Sequence, residues 1–174
     1  TFYNKAKDIL NMSASEKRII AVVGGTGNIG KAVVAALHES QLFHVRVTSR
    51  DPATGKAKEF ADSGIEVVKA DSWNPKELDA AFKGCWGLWV NTNSDDINFK
   101  NEVGPPESEM GRIIIDAAIR QGVDHFVFQN LPAASKITNG EVPILSFDNK
   151  ETISDYAKAA GFKTTTNVNL GWVL

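Results

Sequence analysis

Residues 19–37, "IIAVVGGTGNIGKAVVAAL", decide the fold, because a short apolar run changes at a cluster of glycines into a segment with helical periodicity. Two glycine patterns overlap here. Gly25, Gly27 and Gly30 match G-x-G-x-x-G, whereas Gly24, Gly27 and Gly30 match G-x-x-G-x-x-G. A continuous apolar run that ends in glycine is typical of a strand buried on both faces. The stretch therefore predicts a strand, a tight glycine loop and a helix, in that order.

The alternation of apolar runs with helix-period segments continues along the chain. Five further strands are predicted at "FHVRVTSR", "IEVVKAD", "CWGLWVN", "VDHFVFQN" and "FKTTTNVNLGWVL". Such alternation predicts parallel strands joined by right-handed crossovers, which is an α/β fold with a Rossmann-type, doubly wound parallel sheet. We expect the strand order 3-2-1-4-5-6, with a ligand crevice between strands one and four. Residues 18–174 form this predicted domain, and residues 1–17 form a separate N-terminal extension.

Composition narrows the class of protein. The chain has 174 residues, of which 43% are hydrophobic and 23% charged, as in one globular domain. A net charge of -2 gives no electrostatic reason to expect binding to nucleic acid or to an anionic membrane. No apolar run reaches the roughly 18 residues of a membrane span, and the first 17 residues lack the apolar run of a signal peptide. Cys85 is the single cysteine, so we expect a cytoplasmic protein, with the nucleus as the alternative. We also expect the Cys85 side chain to be buried in the core.

The glycine loop is a candidate phosphate site. Amide groups at the start of a helix and the helix dipole together attract a phosphate. Gly24 or Gly25 would permit the tight turn, Gly27 would let a pyrophosphate approach the backbone, and Gly30 would let the helix pack against the first strand. The remaining lining of the loop is Thr26, Asn28 and Ile29. The segment therefore predicts a dinucleotide-binding loop.

The end of the second strand predicts which dinucleotide is bound. Arg50, in "TSRDP", lies 20 residues after Gly30, where an acidic residue would grip a ribose hydroxyl and favour NAD. A guanidinium can instead pair with a 2′-phosphate, with Ser49 as an additional donor. NADP(H) is therefore the predicted cofactor and NAD the alternative. The competing interpretation of Arg50 is a solvated surface arginine.

Small polar residues follow the next two strands as well. Asp71 and Ser72 come after strand three, where an adenine edge usually rests. Asn91, Thr92 and Asn93 come after strand four, beside the expected pyrophosphate and nicotinamide ribose. Both sets are predicted to contact the cofactor, although each could instead cap its own loop.

These residues together resemble the NmrA-like family of atypical short-chain dehydrogenases/reductases. The resemblance rests on "VVGGTGNIGKAVVAAL", "VTSRDP", "KADSWNP", "NEVG…ESEMGRIIIDAAIRQGVDHFVF" and "FDNKETISDYAKAAGF", and it covers residues 18–174. It favours the glycine pattern of Gly24, Gly27 and Gly30. It implies NAD(P) binding, in some members for redox sensing through protein contacts and in others for hydride transfer as an oxidoreductase. It also implies that the C-terminal region that forms the substrate or partner side is lacking here.

Typical short-chain dehydrogenases use a Tyr-x-x-x-Lys pair, in which the lysine lowers the pKa of a tyrosine that passes a proton to the substrate. Lys150 fits the lysine position, but Ser146 stands where the tyrosine is required. At the end of strand five the residues are Gln129 and Asn130, with no serine. Tyr156 has no lysine four residues later, and helical spacing predicts that it belongs to the core. Lys150 is the candidate catalytic residue, since the matching lysine of reductase relatives hydrogen-bonds the nicotinamide ribose; otherwise it is an exposed helix lysine.

Two functions remain open at this point, so the sequence does not say whether the protein is an enzyme. The first, which the missing tyrosine and the missing C-terminal region favour, is an NADP(H)-binding, redox-sensing regulator, in which cofactor occupancy orders loops 93–106 and 131–146 for a protein partner. The second is an NAD(P)H-dependent reductase of a small carbonyl or quinone substrate. No metal site is expected, because the three histidines, His38, His44 and His125, have no ligand partners at useful spacing.

Overall fold

The computed structural model describes residues 17–94, 96 and 106–170. Apart from Lys17, the predicted N-terminal extension lies outside these residues, as does most of the predicted loop 93–106. The strands are β1 (Ile19–Val23), β2 (His44–Ser49), β3 (Glu66–Lys69), β4 (Cys85–Val90), β5 (His125–Asn130) and β6 (Thr164–Asn169). The helices are α1 (Asn28–Ser40), α2 (Gly55–Asp62), α3 (Pro75–Phe82), α4 (Glu107–Arg120), α5 (Ala134–Ile137) and α6 (Leu145–Ala159).

These strands form a parallel sheet in the order β3-β2-β1-β4-β5-β6, which confirms the predicted fold. Strand β1 is central, so Val22 lies opposite Val47 of β2 on one side and opposite Trp89 of β4 on the other. Because all strands run in one direction, their carboxyl ends meet at a single edge of the sheet. Every loop that follows a strand is therefore brought to that edge.

The core lies on both faces of the sheet. Ala21 and Val23 face the larger cluster, under α3, α4 and α6, whereas Val22 between them faces the smaller cluster with Val34 and Phe60. Successive side chains of a strand point to opposite faces, so a strand covered on both sides must be apolar throughout. This explains the uninterrupted apolar run of β1. Cys85 is buried in the larger cluster, as predicted.

Tyr156 is the clearest wrong prediction. It lies on α6 with Ile153 and Ala157, which are buried, but its own side chain is 40% exposed. Its hydroxyl donates to Asp116 Oδ1 on α4 at 2.7 Å. Helical spacing placed Tyr156 at the margin of the apolar stripe, and its polar tip turns toward a carboxylate that the sequence alone does not bring close.

The segment after β5 contains more helix than predicted. It contains the short helix α5, and α6 begins at Leu145, inside the predicted loop 131–146. No helix in the described ranges is long and apolar enough to cross a membrane.

Candidate functional site

A cleft of about 760 Å³ opens at the carboxyl ends of β1 to β4. It lies where the order of strands reverses, between β1 and β4, which is the usual ligand position in a doubly wound sheet. All the predicted cofactor-contacting residues except Gly30 and Lys150 line it. These lining residues are Gly24, Thr26, Gly27, Asn28, Ile29, Ser49, Arg50, Asp71, Ser72, Asn91, Thr92 and Asn93.

Three glycines of the loop are required by the protein's own packing. Gly24 has φ +75°, and a Cβ added there would collide with the carbonyl oxygen of Asn91. A Cβ on Gly30 would collide with the carbonyl oxygen of Gly24, and one on Gly25 would lie 2.8 Å from Val47 Cγ1. Gly24, Gly25 and Gly30 therefore lack side chains for a structural reason, since β1, β2, β4 and α1 meet at this turn.

Gly27 is different, because the protein leaves room for a side chain there. Its backbone is extended, with φ -77° and ψ 174°, and an added Cβ would come no closer than 3.4 Å to Gly24 O. Gly27 is the N-cap of α1, has no side-chain capping bond and lines the cleft. A helix start with this geometry suits an anionic group that approaches the backbone closely.

Positive charge lies on the rim after β2. The Arg50 side chain is 67% exposed, and one of its guanidinium nitrogens lies 3.7 Å from Asp96 Oδ2. Lys56, the second residue of α2, also lines the cleft, and its ammonium group pairs with Glu59 at 2.5 Å. Sequence reasoning missed Lys56, although its place shortly after the "TSRDP" segment and near the start of a polar helix was an available signal.

Two of the residues predicted to contact the cofactor also form hydrogen bonds within their own loops. Such loop capping was the alternative to cofactor contact. Ser49 Oγ donates to Asp51 O at 3.0 Å and accepts from Asp51 N at 3.2 Å. Asp71 Oδ1 accepts from Trp73 N at 2.9 Å. Each side chain thereby shapes the cleft wall while still lining it.

Lys150 lies behind this wall and is only 4% exposed, so it is not an exposed helix lysine. Its ammonium group donates to Thr92 Oγ1 at 2.9 Å and to Glu107 Oε1 at 2.8 Å. Thr92 Oγ1 donates to the same carboxylate oxygen at 2.5 Å, and the Glu107 side chain is 2% exposed. Sequence reasoning missed Glu107, whose only local signal is an acidic residue in the first turn of α4.

The described lining of the cleft contains no tyrosine, histidine or cysteine. Ser146 and Tyr156 do not line it either. His125 begins β5, at the amino end of the sheet, where its Nδ1 lies 2.6 Å from Thr164 Oγ1. Within the described ranges, no group of His, Cys, Asp or Glu side chains is arranged to hold a metal ion.

Sequence comparison gives a family match over nearly the whole chain. The model described as the NmrA-like family matches residues 16–173. The NmrA-like family domain-containing oxidoreductase FrzB of Cladobotryum sp. is 42% identical over 157 residues, which are 90% of this chain and 47% of that protein. The chain spans a little under half the length of the curated relatives that it matches.

Solved structures share the fold. NmrA, described as a negative transcriptional regulator and solved in complex with NADP, superposes with a TM-score of 0.72 at 23% identity, over 88% of this chain and 45% of that one. The NADPH-dependent quinone oxidoreductase of Escherichia coli, solved with NADPH, superposes with a TM-score of 0.71 at 24% identity, over 88% and 49%. At these identities the likeness concerns the arrangement of strands and helices.

Proposed function

Since this chain belongs to the NmrA-like family, we propose that its cleft binds a nicotinamide dinucleotide, with NADP(H) as the preferred form. The main observation behind this proposal concerns Gly27, which lines the cleft and has no side chain although the protein leaves space for a Cβ. A pyrophosphate that approaches the start of α1 accounts for that residue, whereas packing accounts for the neighbouring glycines. NmrA, solved with NAD and also with NADP, and the quinone oxidoreductase, solved with NADPH, support nicotinamide dinucleotides as the cofactor class.

Each part of the dinucleotide has residues suited to it. The pyrophosphate would lie over the loop of Thr26, Gly27, Asn28 and Ile29, while Gly30 acts only by letting α1 pack. Arg50 and Lys56 supply positive charge for a 2′-phosphate, and Asp71 and Ser72 border the place of the adenine. Asn91, Thr92 and Asn93, at the end of β4, would border the nicotinamide ribose.

Preference for NADP is tested at Arg50. We expect the unaltered chain to bind NADP more tightly than NAD, because charge-assisted hydrogen bonds to the 2′-phosphate contribute about 1.5–3 kcal/mol. Arg50→Ala should erase this difference, through a loss of about ten- to a hundredfold in NADP affinity. Isothermal titration calorimetry measures the dissociation constants of NADP and NAD for both proteins. Arg112→Ala is the control, since Arg112 forms its ion pairs on α4 with Glu109 and Asp116; equal affinities in the unaltered chain would contradict the proposal.

We infer that the bound nucleotide serves hydride transfer to a small carbonyl or quinone substrate, with this chain as the dinucleotide-binding part of an oxidoreductase. The 42% identical relative is named an oxidoreductase, which supports this choice. Lys150 is held by Glu107 and Thr92 behind the cleft wall. Its role in this proposal is to fix the end of β4 where the nicotinamide ribose would lie.

A redox-sensing regulator is the second candidate, and one observation favours it. The described cleft wall offers no tyrosine, histidine or cysteine to pass a proton to a substrate oxygen. Loss of the near-ultraviolet absorbance of NADPH on addition of quinones or small carbonyls would support the oxidoreductase. Tight NADPH binding without turnover across that panel would support the regulator, which acts through contact with a protein partner.

A further inference from the structure

Arg50 already has an acidic partner inside the cleft. Asp96 lines the cleft beside Asn93, and its backbone N–H donates to Asn93 O at 3.2 Å in the turn that follows β4. Its Oδ2 lies 3.7 Å from an Arg50 nitrogen, so an ion pair joins the loops after β2 and β4. The two residues are far apart in the sequence, and only the reversal of strand order brings them together.

The two partners of this ion pair are unequally exposed. The Asp96 side chain is 6% exposed, whereas that of Arg50 is 67% exposed. Water screens a largely buried carboxylate less than an exposed one, so the attraction between Asp96 and a nearby guanidinium is stronger than that of an exposed pair. Arg50 is therefore drawn toward Asp96. A 2′-phosphate at this rim must share Arg50 with Asp96 and must also approach a like charge.

We propose that Asp96 is a specificity-determining residue that weakens the preference of the cleft for NADP(H) over NAD(H) by competing with the 2′-phosphate for Arg50. This inference rests on the proposed dinucleotide-binding function. Lys56, the other cation on this rim, pairs with Glu59 at 2.5 Å, so carboxylates offset both positive charges that face a 2′-phosphate. The result is a site that binds NADP and also retains NAD.

Removing the Asp96 charge should change the binding affinity of NADP but not that of NAD. Asp96→Asn keeps the size of the side chain but frees Arg50 for the phosphate. We expect NADP affinity to rise about fivefold, while NAD affinity changes little, because a ribose hydroxyl gains far less from a freed guanidinium. Asp96→Ser should shift the ratio in the same direction, which provides a second test if the asparagine variant is unstable.

The experiment measures dissociation constants of NADP⁺ and NAD⁺ by calorimetry for both Asp96 variants, alone and combined with Arg50→Ala. Asp79→Asn is the matched control, since Asp79 forms an exposed ion pair with Arg120 at 2.9 Å, away from the cleft lining. We expect the ratio of NADP affinity to NAD affinity to rise in the Asp96 variants and to stay unchanged in Asp79→Asn. In the Arg50→Ala background the rise should be much smaller, because only the direct repulsion between Asp96 and the phosphate is then removed.

The outcomes distinguish this inference from the function on which it rests. If the unaltered chain binds neither nucleotide, the proposed function itself fails. If it binds both, and neither Asp96 variant changes the ratio, only the role of Asp96 is overturned. A gain in NADP affinity that is as large in the Arg50→Ala background as in the unaltered background would show that Asp96 does not act through Arg50.

Discussion

Gly27 and Gly30 stand three residues apart in one loop, yet they lack side chains for different reasons. Gly30 faces the carbonyl oxygen of Gly24, so the fold itself excludes a Cβ there. Gly27 faces the cleft and has an extended backbone that alanine adopts readily. Gly30 is therefore required by the fold, whereas Gly27 is required only under the proposed function, for the approach of a pyrophosphate.

We expect Gly27→Ala to change stability by at most about 1 kcal/mol, because the restriction of the unfolded chain by alanine is offset by its poorer fit at the N-cap of α1. The same change should weaken NADP binding by about tenfold or more, since the methyl group occupies the approach of the pyrophosphate. Urea unfolding and calorimetry measure the two effects. Gly30→Ala is the matched comparison, with an expected stability loss of about 1–3 kcal/mol from overpacking. Unchanged NADP affinity in Gly27→Ala would remove the main support for the proposed site.

At the scale of elements, one buried ion pair joins α4, α6 and the end of β4. Glu107 comes from the first turn of α4, Lys150 from the middle of α6, and Thr92 from the residues that follow β4. Glu107 Oε1 accepts from both of the other side chains and also from Ser94 Oγ at 3.2 Å. The packing is close, since a Cβ on Gly111 of α4 would collide with Ile153 of α6. The wall of the cleft thus depends on two helices that lie behind it.

Glu107→Gln should cost about 3–5 kcal/mol of unfolding free energy, because it leaves the buried Lys150 ammonium group without its counter-charge. Glu109→Gln, two residues further along the same helix, is the control. Its ion pair with Arg112 is exposed, so we expect a loss of at most about 1 kcal/mol. Urea unfolding followed by circular dichroism measures both. Equal losses in the two variants would contradict the structural importance of the buried pair.

For the molecule as a whole, we expect part of the acid stability to come from a cluster at the opposite edge of the sheet from the cleft. Glu66, at the start of β3, lies 2.7 Å from His44 Nε2 and 3.0 Å from Arg46 Nε of β2. Burial raises the pKa of Glu66, but hydrogen bonds and positive charge from Arg46 and His44 outweigh it, so this pKa lies below its ordinary value. A carboxyl whose pKa is lower in the folded chain stabilises the fold above its unfolded pKa. That contribution disappears as the pH falls through the folded pKa.

Stability should therefore decline as the pH is lowered from about 6 to about 3, and part of this decline should belong to Glu66. In Glu66→Gln, the free energy of unfolding should be lower at neutral pH and should fall less steeply over the same range. Urea unfolding at a series of pH values provides the comparison. Parallel pH profiles of the two proteins would show that Glu66 contributes nothing to acid sensitivity.

Much of the architecture could be predicted from the sequence, because its signals are local. The period of apolar residues distinguishes β1 from α1, and the alternation of such segments gives the parallel sheet and its order. The glycine loop is equally local, since its three offsets lie within seven residues. Because parallel strands end at one edge, the position of most cleft residues followed from the same pattern.

The partners of those residues were decided only by the tertiary structure. No spacing rule links Lys150 to Glu107, Arg50 to Asp96 or Tyr156 to Asp116, since each pair joins elements that meet only after the sheet is assembled. Burial and ion pairing depend on which elements meet in space, and helical periodicity does not specify which charges face each other. The sequence by itself therefore determined the sheet and the glycine loop. The folded chain decided that Lys150 is buried beside Glu107 and that Arg50 faces an acidic neighbour.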